Sequence, residues 1–237
     1  MCTARSRKEV IIGDDVIVDA VDWNEGEGIL ENVVERKSEI AQIANVEKVL
    51  VLFSLDQPNV DELLLTRYLV AAESSGIPVS LVVNKSELVD HKTTVLWKSK
   101  LRSWGYDPIF CSVKTKRGLK SLMVNLRDQT TVIVGPSGVG KSSLINALGG
   151  NNHRDLLLDD SFNSILRKNW LDQASARIRR QEHATPHVSL LPLCGGGYLA
   201  DTPGFNLPSP SSVTKGSLAL CFPEVCSVKL ALLNFTF

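Results

Sequence analysis

Gly135-Pro136-Ser137-Gly138-Val139-Gly140-Lys141-Ser142 lies between a predicted strand, Thr130 to Val134, and a helical pattern that continues to Leu148. The spacing is a glycine, four residues, then Gly-Lys-Ser, the pattern of a phosphate-binding loop between a strand and a helix. Its chemistry accounts for its residue types. Glycine lets the backbone curl until successive N–H groups point inward at phosphate oxygens. Lys141 brings a point charge to the outer phosphates, and Ser142 a hydroxyl for Mg²⁺, with Ser143 behind it on the same first helical turn. The helix adds the positive end of its dipole.

Working outward, the same strand-then-helix rhythm recurs on both sides. Val49 to Phe53 is a continuous apolar run, as strands buried on both faces show, and Val60 to Ser75 repeats at helical spacing. Pro78 to Val83 is a second buried strand, His91 to Trp104 a helix, Pro108 to Ser112 a third strand, and Leu119 to Leu126 a helix. Val188 to Leu193 and Tyr198 to Ala200 are two further strands around a glycine triplet. Strands alternating with helices predict an α/β fold, a doubly wound and mostly parallel sheet, whose ligands sit at the carboxyl ends of the strands. Residues 10–40 read instead as short strands, with Val16 and Val18 alternating and a turn at Glu25-Gly26-Glu27-Gly28. Residues 151–187 carry many charges and no clear strand, a connection long enough to be functional.

Three short elements follow predicted strands and resemble the remaining motifs of GTPases. Asn84-Lys85-Ser86-Glu87 resembles the guanine-reading turn Asn-Lys-x-Asp, with Glu87 in the place of aspartate. A carboxylate there accepts from the guanine ring N–H and exocyclic amine, a donor pair that adenine lacks. Ser112-Val113-Lys114, after Cys111, resembles the Ser-Ala-Lys element that supports the base, with Val113 replacing alanine. Asp201-Thr202-Pro203-Gly204 resembles the Asp-x-x-Gly switch, in which Asp201 holds Mg²⁺ through water and the Gly204 N–H senses the γ-phosphate. The order is base motif, base support, phosphate loop, metal switch. Ordinary GTPases begin with the phosphate loop, so this order predicts a circularly permuted P-loop GTPase domain.

The stretches Asn45 to Ser54, Asn84 to Leu88, Gly135 to Asn146 and Leu190 to Phe205 together resemble the RsgA (YjeQ) family, the small-subunit-dependent GTPases of ribosome assembly. Gly195 to Phe205 is especially similar to plant members. The resemblance covers roughly residues 10–220 and implies an N-terminal OB-fold, the permuted GTPase domain, bound GTP or GDP with Mg²⁺, and the small ribosomal subunit and its rRNA as partners. It also implies that Thr185 binds Mg²⁺ and that His183 acts in hydrolysis, although Gln181-Glu182-His183-Ala184-Thr185-Pro186 departs from the family's glycine-containing switch. On this reading residues 1–41 are a partial OB-fold-like β segment, 42–212 the GTPase domain and 213–237 an aberrant tail. The family's zinc site is expected to be absent, because Cys221 and Cys226 are the only Cys or His residues after Asp201. Plant-like resemblance implies a chloroplast or mitochondrion, otherwise the cytoplasm.

Composition sets outer limits. The 237 residues carry 26 Lys plus Arg and 26 Asp plus Glu, so net charge selects no partner. Local charge differs: Lys92 to Lys120 and Arg167 to Arg180 are basic, which suits either a solvated surface or phosphate backbones. Five scattered cysteines are unlike a secreted disulfide framework, and MCTARSRKEV lacks the apolar core of a secretory signal. No apolar run of about 18 residues predicts a membrane span. A monomer is expected. Three other readings stand beside this one: a related permuted GTPase of large-subunit assembly, a relative that holds GTP or rRNA without turnover, and an ATPase.

Overall fold

A computed structural model describes residues 2–4, 9–22, 27–40, 42–149, 189–193 and 196–201. The small N-terminal part contains β1 (Cys2–Ala4), β2 (Val16–Asp22) and β3 (Glu27–Val33), in the order β1-β3-β2. β2 runs antiparallel to β3 and β1 parallel to it. Two residues of the turn predicted at 25–28 lie in a strand instead: Glu27 pairs with Asp22 and Gly28 with Cys2. Ladder pairing overrides the turn preference of these two residues. A two-stranded ladder, β4 (Glu39–Ile40) with β5 (Ile43–Ala44), follows. Arg36 ties this part together, donating from Nε to Asp14 Oδ1 at 2.7 Å and from Nη1 to Glu39 at 3.0 Å.

The rest is the doubly wound unit that the sequence predicts. Its elements are β6 (Lys48–Ser54), α1 (Glu62–Glu73), β7 (Val79–Asn84), a 3-10 turn (Ser86–Leu88), α2 (His91–Ser103) and β8 (Ile109–Phe110), then α3 (Leu119–Asn125), β9 (Thr130–Val134), α4 (Lys141–Gly149), β10 (Ser189–Pro192) and β11 (Tyr198–Asp201). The sheet order is β10-β11-β9-β6-β7-β8. Every pair is parallel except β10 with β11.

Alternation along β6 builds the two cores. Val49, Val51 and Phe53 face a layer with Leu65, Tyr68 and Leu69 of α1 and Leu101 of α2. Leu50 and Leu52 face the opposite layer, with Leu119 and Leu122 of α3 and Leu144, Ile145 and Leu148 of α4. A strand apolar at every position is what burial on both faces requires. The helices start at capped positions: Asp61 accepts from the Leu63 and Leu64 N–H groups, and Asp90 from Thr93 N–H. The Thr93 hydrogen bonds favour the ionised form and hold the Asp90 carboxyl below its usual range.

β8 is two residues long, where five were predicted. The chain leaves the ladder at Cys111, which donates its N–H to Val83 O at 2.8 Å and accepts at its carbonyl from Ser86 N–H at 3.0 Å. Ser112 then turns away, donating to Arg117 O at 2.9 Å.

Candidate functional site

The winding direction of the sheet reverses between β6 and β9. From β6 the chain steps to β7 and β8 on one side, whereas β9 lies on the other side with β11 beyond it. Loops leaving the carboxyl ends of two such neighbours diverge and open a crevice. Gly135 to Gly140 leaves β9 at that point, and the loop at Asp56 to Asn59 leaves β6 beside it.

Glycine is required where the loop crosses its neighbours. A Cβ on Gly135, at φ +153, would stand 2.1 Å from Leu52 O, and one on Gly140, at φ +94, 2.6 Å from Asn84 Nδ2. Val139 is buried against the α3–α4 layer and anchors the loop from below. Lys141 folds over the loop, donating from Nζ to Gly135 O at 2.7 Å and Pro136 O at 2.8 Å. Ser137, Ser142 and Ser143 are exposed, the last two on the first turn of α4.

The predicted base-reading turn meets this loop directly. Asn84, 2% exposed at the end of β7, donates from Nδ2 to Val139 O at 3.0 Å. On its other side Asn84 Oδ1 accepts from the Cys111 thiol at 3.7 Å. Burial, with the charge of Glu87 adding to it, pushes the Cys111 thiol up to about 12, so it stays a neutral donor. Lys85 adopts φ +57, and its Cε lies 3.9 Å from where a Cβ of Gly140 would stand. Its Nζ donates to Gln57 O. Glu87 sits exposed on the 3-10 turn that follows.

The predicted supporting element lies beside that turn, because Cys111 O accepts from Ser86 N–H. Ser112 is fully buried and its hydroxyl accepts from Thr115 N–H at 3.0 Å, which sets the backbone of half-buried Val113 and exposed Lys114 beside the turn that carries Glu87. On the far side, Ala200 pairs with Val132, so the backbone of Asp201 reaches the carboxyl edge next to β9. The predicted roles of His183, Thr185 and Gly204, and of the Asp201 side chain, fall outside the described residues.

Sequence reasoning missed Gln57 and Pro58. Their loop forms another wall, with Pro58 Cδ 3.6 Å from the position of a Gly138 Cβ, and no residue pattern there announces it. A cleft of about 570 Å³ lies at the opposite, amino-terminal edge of the sheet, lined by Asp14, Glu47, Thr130 and Tyr198 among others. It contains none of the predicted residues.

A phosphate loop after one central strand and an Asn-Lys-Ser-Glu turn after another, in contact but in reversed chain order, define a circularly permuted P-loop nucleotide-binding fold. Two solved structures share it. YloQ, described as a circularly permuted GTPase, matches with a TM-score of 0.70 and 26% identity, over 95% of this chain and 70% of that one. YjeQ from Thermotoga maritima matches with a TM-score of 0.63 and 26% identity, over 86% and 66%. The RsgA GTPase family model matches residues 30–209, and the chain belongs to that family. The mitochondrial small ribosomal subunit biogenesis GTPase RsgA 1 of Arabidopsis thaliana is 50% identical over 95% of this chain and 55% of its own length. The corresponding protein of Microcystis aeruginosa is 36% identical over 100% and 63%. The chain thus spans a little over half the length of these curated relatives.

Proposed function

We propose that the chain binds GTP with Mg²⁺ and hydrolyses GTP to GDP and inorganic phosphate during late assembly of the small ribosomal subunit. The observation that carries this reading is the 3.0 Å hydrogen bond from Asn84 to Val139, which brings the turn after β7 into contact with the loop after β9. The names of the relatives supply the ribosomal context.

In this reading Glu87 accepts from guanine, Asn84 and Lys85 frame the base, and Ser112, Val113 and Lys114 support it from the backbone. The N–H groups of Gly135 to Gly140 cradle the phosphates, Lys141 neutralises the β- and γ-oxygens, and Ser143 extends the cradle into α4. Ser142, Asp201 and Thr185 form the Mg²⁺ set. Ser142, exposed on the first turn of α4, supplies a hard oxygen donor on the nucleotide side of the sheet, which fits a metal that keeps several waters and leans on substrate phosphates. When bound, Mg²⁺ neutralises charge on the phosphate oxygens. Gly204 senses the γ-phosphate, and His183 assists the attacking water. The protein's part in catalysis is positioning and charge stabilisation, slow without a stimulating partner.

The small subunit and its rRNA are that partner, and the chain acts as a monomer with residues 42–212 as the nucleotide unit behind a β segment at 1–41. Mitochondrial relatives favour an organelle. Among the described residues no helix is long and apolar enough to cross a membrane.

The test is nucleotide binding by the purified chain, GTP against ATP, for wild type and Glu87→Ala. Two hydrogen bonds to a charged acceptor, at about 1.5–3 kcal/mol each, give at least a hundredfold preference for GTP that the variant loses. ATP competing as well as GTP against wild type sinks the guanine reading. Phosphate release measured with and without small subunits then separates an enzyme from a GTP-holding relative.

A further inference from the structure

We infer that the β8–α3 corner, Lys114 to Lys120 with Arg127, is a docking surface for the phosphate backbone of RNA. This rests on the ribosomal reading above and assigns it a place on the molecule.

Between Asp107 and Asp128 the chain carries five cations, Lys114, Lys116, Arg117, Lys120 and Arg127, and no carboxylate. All five are exposed. The fold gathers them. Ser112 closes the loop through Arg117 O and Thr115 N–H, so Lys114 to Arg117 project from one tight turn. Gly118 then starts α3, which buries Leu119 and Leu122. Lys120 and Arg127 lie seven residues apart on the opposite, outer side, with exposed Val124 between them. Arg127 pairs with neighbouring Asp128 at 3.3 Å, an exposed pair that contributes little. No ion pair among the described residues engages Lys114, Arg117 or Lys120.

The chemistry selects a polyanion over a protein face. Protein interfaces are enriched in aromatic residues and depleted in lysine at their centres. This corner has three lysines and two arginines, no exposed aromatic residue, and Val124 as its one exposed large hydrophobic residue. A phosphate backbone is matched by such a patch without any apolar anchor. The corner also adjoins the nucleotide site, because Cys111 O accepts from Ser86 N–H within the base-reading turn. RNA held here lies beside the base of a bound nucleotide.

The experiment measures binding of the full chain to a fluorescein-labelled RNA hairpin as a function of salt, for wild type and Arg117→Ala/Lys120→Ala. Neither residue belongs to the nucleotide machinery, so GTP binding stays at the wild-type level. Each lost phosphate contact lowers the slope of log affinity against log salt by about 0.7–0.9, so the double variant is shallower by about 1.4–1.8. The ratio of wild-type to variant affinity then shrinks about tenfold between roughly 50 and 200 mM salt. An unchanged slope overturns the proposal, and so does an equal loss from Lys92→Ala/Lys98→Ala on α2, which would mark a diffuse field without a docking site. Loss of binding to intact small subunits with RNA binding retained assigns the corner to an acidic protein and also overturns it. Failure of wild type to bind GTP would defeat the enzymatic reading and leave the RNA titration readable.

Discussion

Asn84 Nδ2 reaches Val139 O across 3.0 Å, joining residues 55 positions apart and bridging the turn after β7 to the loop after β9. Both partners are buried. Asn84→Ala leaves the buried Val139 without this donor at its carbonyl, a loss of about 1–3 kcal/mol. GTP affinity falls about tenfold or more, read by titration with a fluorescent nucleotide. Equal affinity for the variant would mean that the bridge does not organise the site.

Gly140→Ala challenges the same junction from the other side. The added methyl meets Asn84 Nδ2 at 2.6 Å, and φ +94 is unfavourable for any L side chain. The variant melts at a lower temperature, by about 1–3 kcal/mol of stability, and binds GTP at least tenfold more weakly. Calorimetry with and without nucleotide separates the two effects.

Lys141 already occupies oxygen acceptors, the carbonyls of Gly135 and Pro136. A triphosphate offers it stronger, charged ones. Lys141→Ala removes a charge-assisted contact of about 1.5–3 kcal/mol, so GTP affinity drops roughly 10- to 150-fold while guanosine, which has no phosphate, binds as before. An equal drop for guanosine would assign Lys141 to loop folding alone.

The Cys111 thiol gives a pH signature. Its folded value, about 12, lies above the ordinary 9.0. The unfolded chain therefore loses this proton first, and stability falls as pH rises from about 9 towards 12. Below pH 9 the contribution is constant. Cys111→Ala lacks the titration, so the stability gap between wild type and variant narrows across that window in denaturant melts. Iodoacetamide leaves Cys111 unmodified in the folded chain at pH 8 and reacts after unfolding.

Much of this was legible in the residues. Val49 to Phe53 is apolar at every position because both faces are covered, and the glycines of Gly135 to Gly140 foretell the tight loop between β9 and α4. The pairings Glu27 with Asp22 and Gly28 with Cys2 were not, because local preference reads Gly-rich stretches as turns and ladder partners are remote. Nor was the early end of β8, which depends on Ser86 claiming the Cys111 carbonyl. Gln57 and Pro58 join the site only because β6 ends beside β9, a neighbourhood set by topology.

The position of β6 has a consequence for biosynthesis. It is made before β7, β8 and β9, yet it lies between β7 and β9. A nascent chain that has paired β6 with β7 still presents the other edge of β6 unpaired until Thr130 to Val134 emerges. That edge is an open template for mispairing. The loop from Gly135 to Gly140 finds its neighbours Leu52 and Asn84 only when that gap is filled.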